Sequence, residues 1–214
     1  MFALTHHTEN QMPKFLFVQS SIRGAASVSG QLAASLKEQL DVIPGNEILE
    51  RNLGGNPLPV LDGALLDALF APADALDSVQ KAQTALVTTL IDELKAADTV
   101  VLSAGMYNFG VPVQLKTWFD YVLQAGRTFR YTASGPEGLV KGKRAILLVA
   151  TGSVYSKGPT ATADFMVPHL KQLLSFIGIT DVTVVRAEGL AFGPDAAKAG
   201  LEKAAAEIRT LKTA

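Results

Sequence analysis

Thr99-Val100-Val101-Leu102 runs directly into Ser103-Ala104-Gly105-Met106-Tyr107-Asn108-Phe109-Gly110-Val111-Pro112, and the reading of this stretch decides the fold. Thr99 to Leu102 has strand-forming residues and no polar–apolar alternation, the mark of a strand buried on both faces. Glycine and proline then break the chain. From about Val113 to Gln124 apolar residues (Leu115, Trp118, Phe119, Val122, Leu123) recur at helical spacing. A strand that opens into a turn and then a helix is the unit of an open α/β sheet, where ligands bind at the carboxyl ends of the strands. The turn sets Met106, Tyr107 and Phe109 beside Asn108, whose amide both donates and accepts. That mixture suits a large flat heteroaromatic ring with polar edges. The same residues also read as a tight core-packing turn with Asn108 capping the helix.

Upstream, Lys14-Phe15-Leu16-Phe17-Val18-Gln19 is a second buried-looking strand. It ends in Ser20-Ser21-Ile22-Arg23-Gly24-Ala25-Ala26-Ser27-Val28-Ser29-Gly30, and Leu32, Leu36 and Leu40 then mark a helix at spacing four. Hydroxyls and small residues therefore sit where a helix begins, with its free N–H groups and the positive end of its dipole. Ser27 and Ser29 can donate to an anion there, and Ser21 can reach it from the strand end, a reading that favours phosphate. Simple N-capping by one serine is the plainer alternative. The stretch is neither a Walker P-loop nor GxGxxG, which disfavours ATP and the usual dinucleotide site.

The remaining chain completes an alternating pattern. Glu47 to Arg51 reads as an outer strand, Asn52 to Pro59 as loop, Asp62 to Leu69 as a short helix, and Ser78 to Ala96 as a long helix with Leu86, Leu90 and Leu94 on one face. Asp62 and Asp67 read more simply as solvated acids than as a catalytic pair. Gly126 to Gly138 is extended with a turn; alternation puts Phe129 and Tyr131 on one face and Arg130 on the other, so the two aromatics wall a flat pocket or else cover the core edge. Arg144 to Ala150 is a further buried strand, opening into Thr151-Gly152-Ser153-Val154-Tyr155. A helix from about Thr160 to Ile177, a strand from Val182 to Arg186 and a helix from Ala196 to Leu211 follow. His169, alone in its helix, reads as structural. Trp118 and Tyr121 exceed what one core face needs, so their helix either meets a partner subunit or is a bulky core helix.

The expectation is a flavodoxin-like α/β domain over residues 14–214: a five-stranded parallel sheet of order 2-1-3-4-5 with helices on both faces. The first and third strands then flank the point where the connections reverse, the place for a flavin mononucleotide. Residues 1–13 read as a flexible extension; adjacent His6 and His7 in such an arm lack the fixed geometry of a metal site, and no metal is expected. Composition narrows the function. The chain has 214 residues, 48% hydrophobic, enough for one well-buried core. A net charge of −1 provides no field for nucleic acid. With no cysteine, disulfides, thiolate catalysis and Cys-ligated zinc are excluded. No apolar run reaches membrane-spanning length and no secretory pattern opens the chain, so a soluble cytoplasmic protein is expected.

Taken together these segments resemble the FMN-dependent NADH azoreductase and quinone reductase family. The likeness rests on Met106-Tyr107-Asn108-Phe109, Gln114-Leu115-Lys116, Thr128-Phe129-Arg130-Tyr131-Thr132 with Gly135-Pro136-Glu137-Gly138-Leu139, Pro57 through Gly63, Gly158-Pro159-Thr160, Phe176 to Asp181, and Ala187-Glu188-Gly189. It implies that Ser21, Ser27, Val28 (through its N–H) and Ser29 hold the FMN phosphate. It implies that Met106, Tyr107, Asn108 and Phe109 line the isoalloxazine ring, and that Ala150, Thr151, Gly152 and Ser153 meet its pyrimidine edge. In this last loop the chain departs from a frequent family form, Ser-Arg-Gly-Gly. The resemblance further implies tightly bound FMN, NADH or NADPH as donor, quinones and azo compounds as small-molecule acceptors reduced by two-electron ping-pong transfer, and a homodimer with its sites at the subunit interface. Asn108 would orient polar groups of ring or substrate, and Phe129 and Tyr131 would form the substrate wall. No catalytic side chain is required, because the chemistry is the cofactor's. The alternative is a flavodoxin-like electron carrier without a substrate of its own; such carriers are strongly acidic, and −1 argues against it.

Overall fold

Five parallel strands form the centre of the molecule in the computed structural model, which describes residues 12–211. They are β1 (Lys14–Gln19), β2 (Glu47–Asn52), β3 (Thr99–Gly105), β6 (Arg144–Ala150) and β7 (Asp181–Ala187), side by side in the order β2-β1-β3-β6-β7. Six α-helices connect and cover them: α1 (Val28–Asp41), α2 (Gly63–Phe70), α3 (Ser78–Ala96), α4 (Val113–Val122), α5 (Met166–Ile177) and α6 (Pro194–Arg209). Between α4 and β6 the chain makes a two-stranded antiparallel hairpin, β4 (Phe129–Thr132) and β5 (Gly135–Gly138). With the hairpin set aside, the order is the expected 2-1-3-4-5.

Both faces of the sheet are covered, which explains why the inner strands read as unbroken apolar runs. Leu16, Val18, Val100, Leu102, Leu147 and Val149 point into a core shared with α3, α4 and α5. The intervening Phe15, Phe17, Val101, Ile146 and Leu148 point the other way, against α1 and α6. The hairpin is pinned at one glycine: a Cβ on Gly138 would lie 2.2 Å from backbone atoms of Ile177 and Gly178, so two backbones touch there. Among the described residues no helix is long and apolar enough to cross a membrane.

One expectation needs correction, and two readings are sharpened. The helix expected from Thr160 is a 3₁₀ turn over Pro159–Ala163 followed by α5 from Met166. Asp164 separates them because its Oδ1 accepts from the N–H groups of Met166 and Val167, at 3.1 and 3.0 Å, and so starts a new helix. Trp118 and Tyr121 are fully buried within the chain. The bulky-core reading of α4 therefore applies, and these aromatics say nothing about a partner. His169 is exposed on α5. Most of the expected 1–13 extension, His6 and His7 included, lies outside the described residues; Pro13 already takes part in the sheet, its carbonyl accepting from the N–H of Glu47 at 3.0 Å.

Candidate functional site

Parallel topology brings the loops after β1, β3 and β6 to one edge of the sheet. The first is the more regular. A 3₁₀ turn (Gly24–Ala26) leads to Ser27, the N-cap of α1, whose Oγ accepts from the N–H of Gly30 at 3.1 Å. The capping alternative is thus met, but it does not exhaust the serines. Ser27 Oγ and Ser29 Oγ are 3.0 Å apart and nearly buried. One of the two hydroxyl protons is used between them, whichever donates. Val28 is the first residue of α1 and is half-buried. Ser21 sits at the strand end, its Oγ accepting from Arg23 N–H at 3.3 Å. Ser21 and Ser27 line a cavity of about 340 Å³ with Gln19, Gly24, Asn52 and Ser103. Ser103 is 1% exposed and its Oγ finds no partner among the described residues. A buried hydroxyl left unpaired costs about 1–3 kcal/mol, so this cavity suits a polar occupant. Sequence reading passed over Ser103, although its position in the strand, two residues beyond the inward Val101, places it on the α1 face.

The loop after β3 is built differently. Met106 N–H donates to the carbonyl of Ala150 at 2.9 Å, tying this loop to the one after β6. Gly110 N–H returns to the carbonyl of Tyr107 at 3.0 Å. The two residues between, Asn108 and Phe109, have φ of 47° and 70°, the pattern of a type I′ turn. Asparagine tolerates that region; phenylalanine does so at a cost of about 1–3 kcal/mol. The neighbouring Gly105 and Gly110, which could take it freely, do not. The result holds Tyr107, Asn108 and Phe109 exposed on the edge of the molecule, with Met106 half-buried beneath. The turn is therefore not a core-packing device, and Asn108 does not cap α4, whose N-cap is Pro112.

The third loop is stitched to the segment after β7. The carbonyls of Thr151, Gly152 and Ser153 accept from Leu190, Ala191 and Gly189 at 3.2, 2.9 and 3.2 Å, and Thr151 N–H donates to Ala187 at 2.9 Å. Thr151 is buried, its Oγ1 donating to the carbonyl of Ser153 at 2.7 Å. With the carbonyls turned to that segment, the N–H groups of Gly152 and Ser153 find no acceptor among the described residues. Ala150 ends the strand nearly buried. Tyr155, farther along, meets Phe109 edge-on, ring centroids 6.4 Å apart. So the second and third loops close on each other through one backbone bond and one aromatic contact.

Phe129 and Tyr131 do share a face of the hairpin, their rings 5.5 Å apart. Phe129, however, is 8% exposed and stacks at 4.6 Å on Phe176. It covers the core edge, and only Tyr131, 74% exposed, presents a ring to a ligand. Asp62 is the N-cap of α2, accepting from Leu65 N–H at 2.8 Å, and Asp67 is exposed, so the two form no working pair. Burial, reinforced by the charge of Asp62, pushes the Tyr121 phenol above its ordinary range and keeps it neutral inside the core.

Comparison with known proteins agrees with this geometry. A family profile described as flavodoxin-like fold matches residues 13–211. A curated protein of Yersinia pestis (strain Pestoides F) named FMN-dependent NADH:quinone oxidoreductase is 48% identical over 201 residues, covering 94% of this chain and 96% of the relative. One of Hyphomonas neptunium with the same name is 46% identical over 198 residues, covering 92% and 94%. The crystal structure of an azoreductase from Bacillus anthracis superposes with a TM-score of 0.81 at 32% identity, over 94% of this chain and all of that one.

Proposed function

Because this chain belongs to the flavodoxin-like-fold family, alongside FMN-dependent NADH:quinone oxidoreductases, we propose that it binds FMN and uses NADH or NADPH to reduce quinones and azo compounds. One observation carries the reading: adjacent strands β1 and β3 end in a hydroxyl-lined helix start and in an exposed, strained aromatic turn. A phosphate with a flat ring attached needs both, next to each other.

The residues present fit that group. Ser21 and Ser27 line a cavity that already has an unpaired buried hydroxyl and would offer O–H donors to a phosphate there; the Val28 N–H and Ser29 stand beside them at the α1 N-terminus, although neither residue lines that cavity. Met106 to Phe109 supply surface for the ring, and Asn108 an amide that can donate or accept at its polar edge. The free N–H groups of Gly152 and Ser153 would face the electron-rich pyrimidine side. When bound, FMN supplies the two-electron transfer between nicotinamide and acceptor. The chain's part is to hold, to flatten one side and to leave the other open. Tyr131 reaches past the hairpin as a wall for the acceptor, with Phe129 behind it.

Phe109, Tyr131 and Phe165 are large apolar side chains left exposed, at 51%, 74% and 63%, and a homodimer in which a second copy covers them belongs to the same reading. A single domain from residue 14 and a cytoplasmic location remain parts of the same proposal. The test is direct. Purified protein should be yellow, or become so with added FMN, be bleached by reduced nicotinamide, and regain colour with a quinone. A colourless chain that takes up no FMN overturns the proposal, and a yellow one with negligible steady-state quinone reduction would instead be an electron carrier.

A further inference from the structure

Glu188, immediately after β7, is 33 residues from Tyr155 in sequence, yet its carboxylate organises the loop that Tyr155 belongs to. Glu188 Oε1 accepts from the N–H groups of Tyr155 and Ser156, at 2.8 and 2.9 Å. Its other oxygen accepts from Ser156 Oγ at 2.5 Å. The carboxylate is 8% exposed. Burying such a charge is costly without full pairing, and the three donors come from one short loop. Arg186 lies behind it. Arg186 Nη1 stands 3.7 Å from Glu188 and makes no hydrogen bond, while Nη2 donates to Asp164 at 2.9 Å. Asp164 in turn receives the first N–H groups of α5. An acid–base–acid brace thus runs from the Tyr155 loop, across the end of β7, to the start of α5.

We infer that Glu188 is a positioning residue for acceptor selection: by gripping the amides of Tyr155 and Ser156 it holds the Tyr155 ring against Phe109 and sets the width of the cleft mouth. Phe109 has no strong local reason to keep its place, being half-exposed on a backbone of positive φ. Its one aromatic neighbour is Tyr155. The mouth is therefore as rigid as the loop carrying Tyr155, and that loop is held from outside the cleft. This inference rests on the proposed oxidoreductase function, and its failure can be told apart from failure of that function, because one of its readouts needs no flavin.

The first measurement is amide hydrogen exchange in the flavin-free chain. Glu188→Ala should speed exchange at Tyr155 and Ser156 about tenfold or more, and Glu188→Gln, which keeps an oxygen for both amides, should restore protection. The second compares kcat/KM for a bulky naphthoquinone and a small benzoquinone in the FMN-loaded enzyme. Glu188→Ala should shift that ratio about fivefold toward the bulky acceptor, Tyr155→Ala should shift it as far, and the double variant no farther, since both act on one contact. If Glu188→Ala does not fold, Ser156→Ala, which removes one of the three bonds, should move the ratio the same way by less. Protected amides in Glu188→Ala, an unmoved ratio in Tyr155→Ala or Ser156→Ala, or additive losses in the double variant would each overturn the inference.

Discussion

The loops after β1 and β3 lie side by side yet solve opposite problems. In the proposed function the first would hold negative charge by ordinary means: a helix begins, a serine caps it, and a second serine leans on the first. Its backbone needs no special conformation beyond Gly24, with φ of 51°. The second would offer a surface for a flat ring, and it does so outside any helix or strand. The chain places Asn108 and Phe109 in the left-handed region and accepts the cost. Anion binding would be a by-product of helix geometry, whereas this ring platform comes with strain.

If that contrast is right, the largest effect belongs to the first loop. Replacing Ser27 and Ser29 together with alanine removes both hydroxyls proposed to meet a phosphate oxygen. Flavin titration of the flavin-free chain should show FMN binding weakened by about 1.5–3 kcal/mol, the worth of a hydrogen bond to a charged group. Riboflavin, which lacks the phosphate, should bind the double variant nearly as it binds the parent. Loss of the cap should also lower chain stability by about 1 kcal/mol, read by thermal unfolding. Equal weakening of FMN and riboflavin would move the phosphate away from this loop.

The same contrast explains what could be read in advance. The β1 loop was legible because its signal is local: a buried run, then serines, then leucines at spacing four. The parallel sheet followed from alternation of strands and helices, its order from the common doubly wound arrangement, and the apolar strands from burial on both faces. The aromatic character of the β3 turn was legible too, but not its backbone, since nothing in Asn108-Phe109-Gly110 says that phenylalanine rather than glycine takes the positive φ. Phe129 and Tyr131 alternate identically in sequence; only Phe176, from a distant helix, decides that one is buried and the other not. Ser103 and Glu188 stand in stretches the sequence draws attention to, yet the part each plays was not legible, for a related reason. Each matters through what it faces, an empty side of a cavity for one and a loop from another strand for the other, and neither neighbourhood is written near the residue.

A sharper probe of the strained turn is Phe109→Gly. Glycine takes φ of 70° without steric cost, so the flavin-free variant should gain about 1 kcal/mol in stability, allowing for its freer unfolded chain. Asn108→Gly should gain less, because asparagine already tolerates the conformation. Phe109→Gly should at the same time lose acceptor kcat/KM, having lost its contact with Tyr155. A destabilised variant would mean that the ring's packing outweighs the backbone term, and that the turn is held by contacts rather than against strain.

The smallest effect is expected at the hairpin, outside both loops. Tyr131 touches Phe129 and little else in its own chain, so Tyr131→Ala should leave stability within about 0.5 kcal/mol of the parent. FMN content should also stay the same, since neither the anion loop nor the ring platform includes this side chain. What should change is the acceptor: one aromatic contact is worth about 0.5–1.5 kcal/mol, so the KM for a quinone should rise by a factor of about three to ten while reduction by NADH in the absence of acceptor is unaltered. Parallel loss of flavin and acceptor binding would show that Tyr131 belongs with Met106 to Phe109 as part of the ring platform. In that case the division of labour between strained turn and hairpin would have to be redrawn.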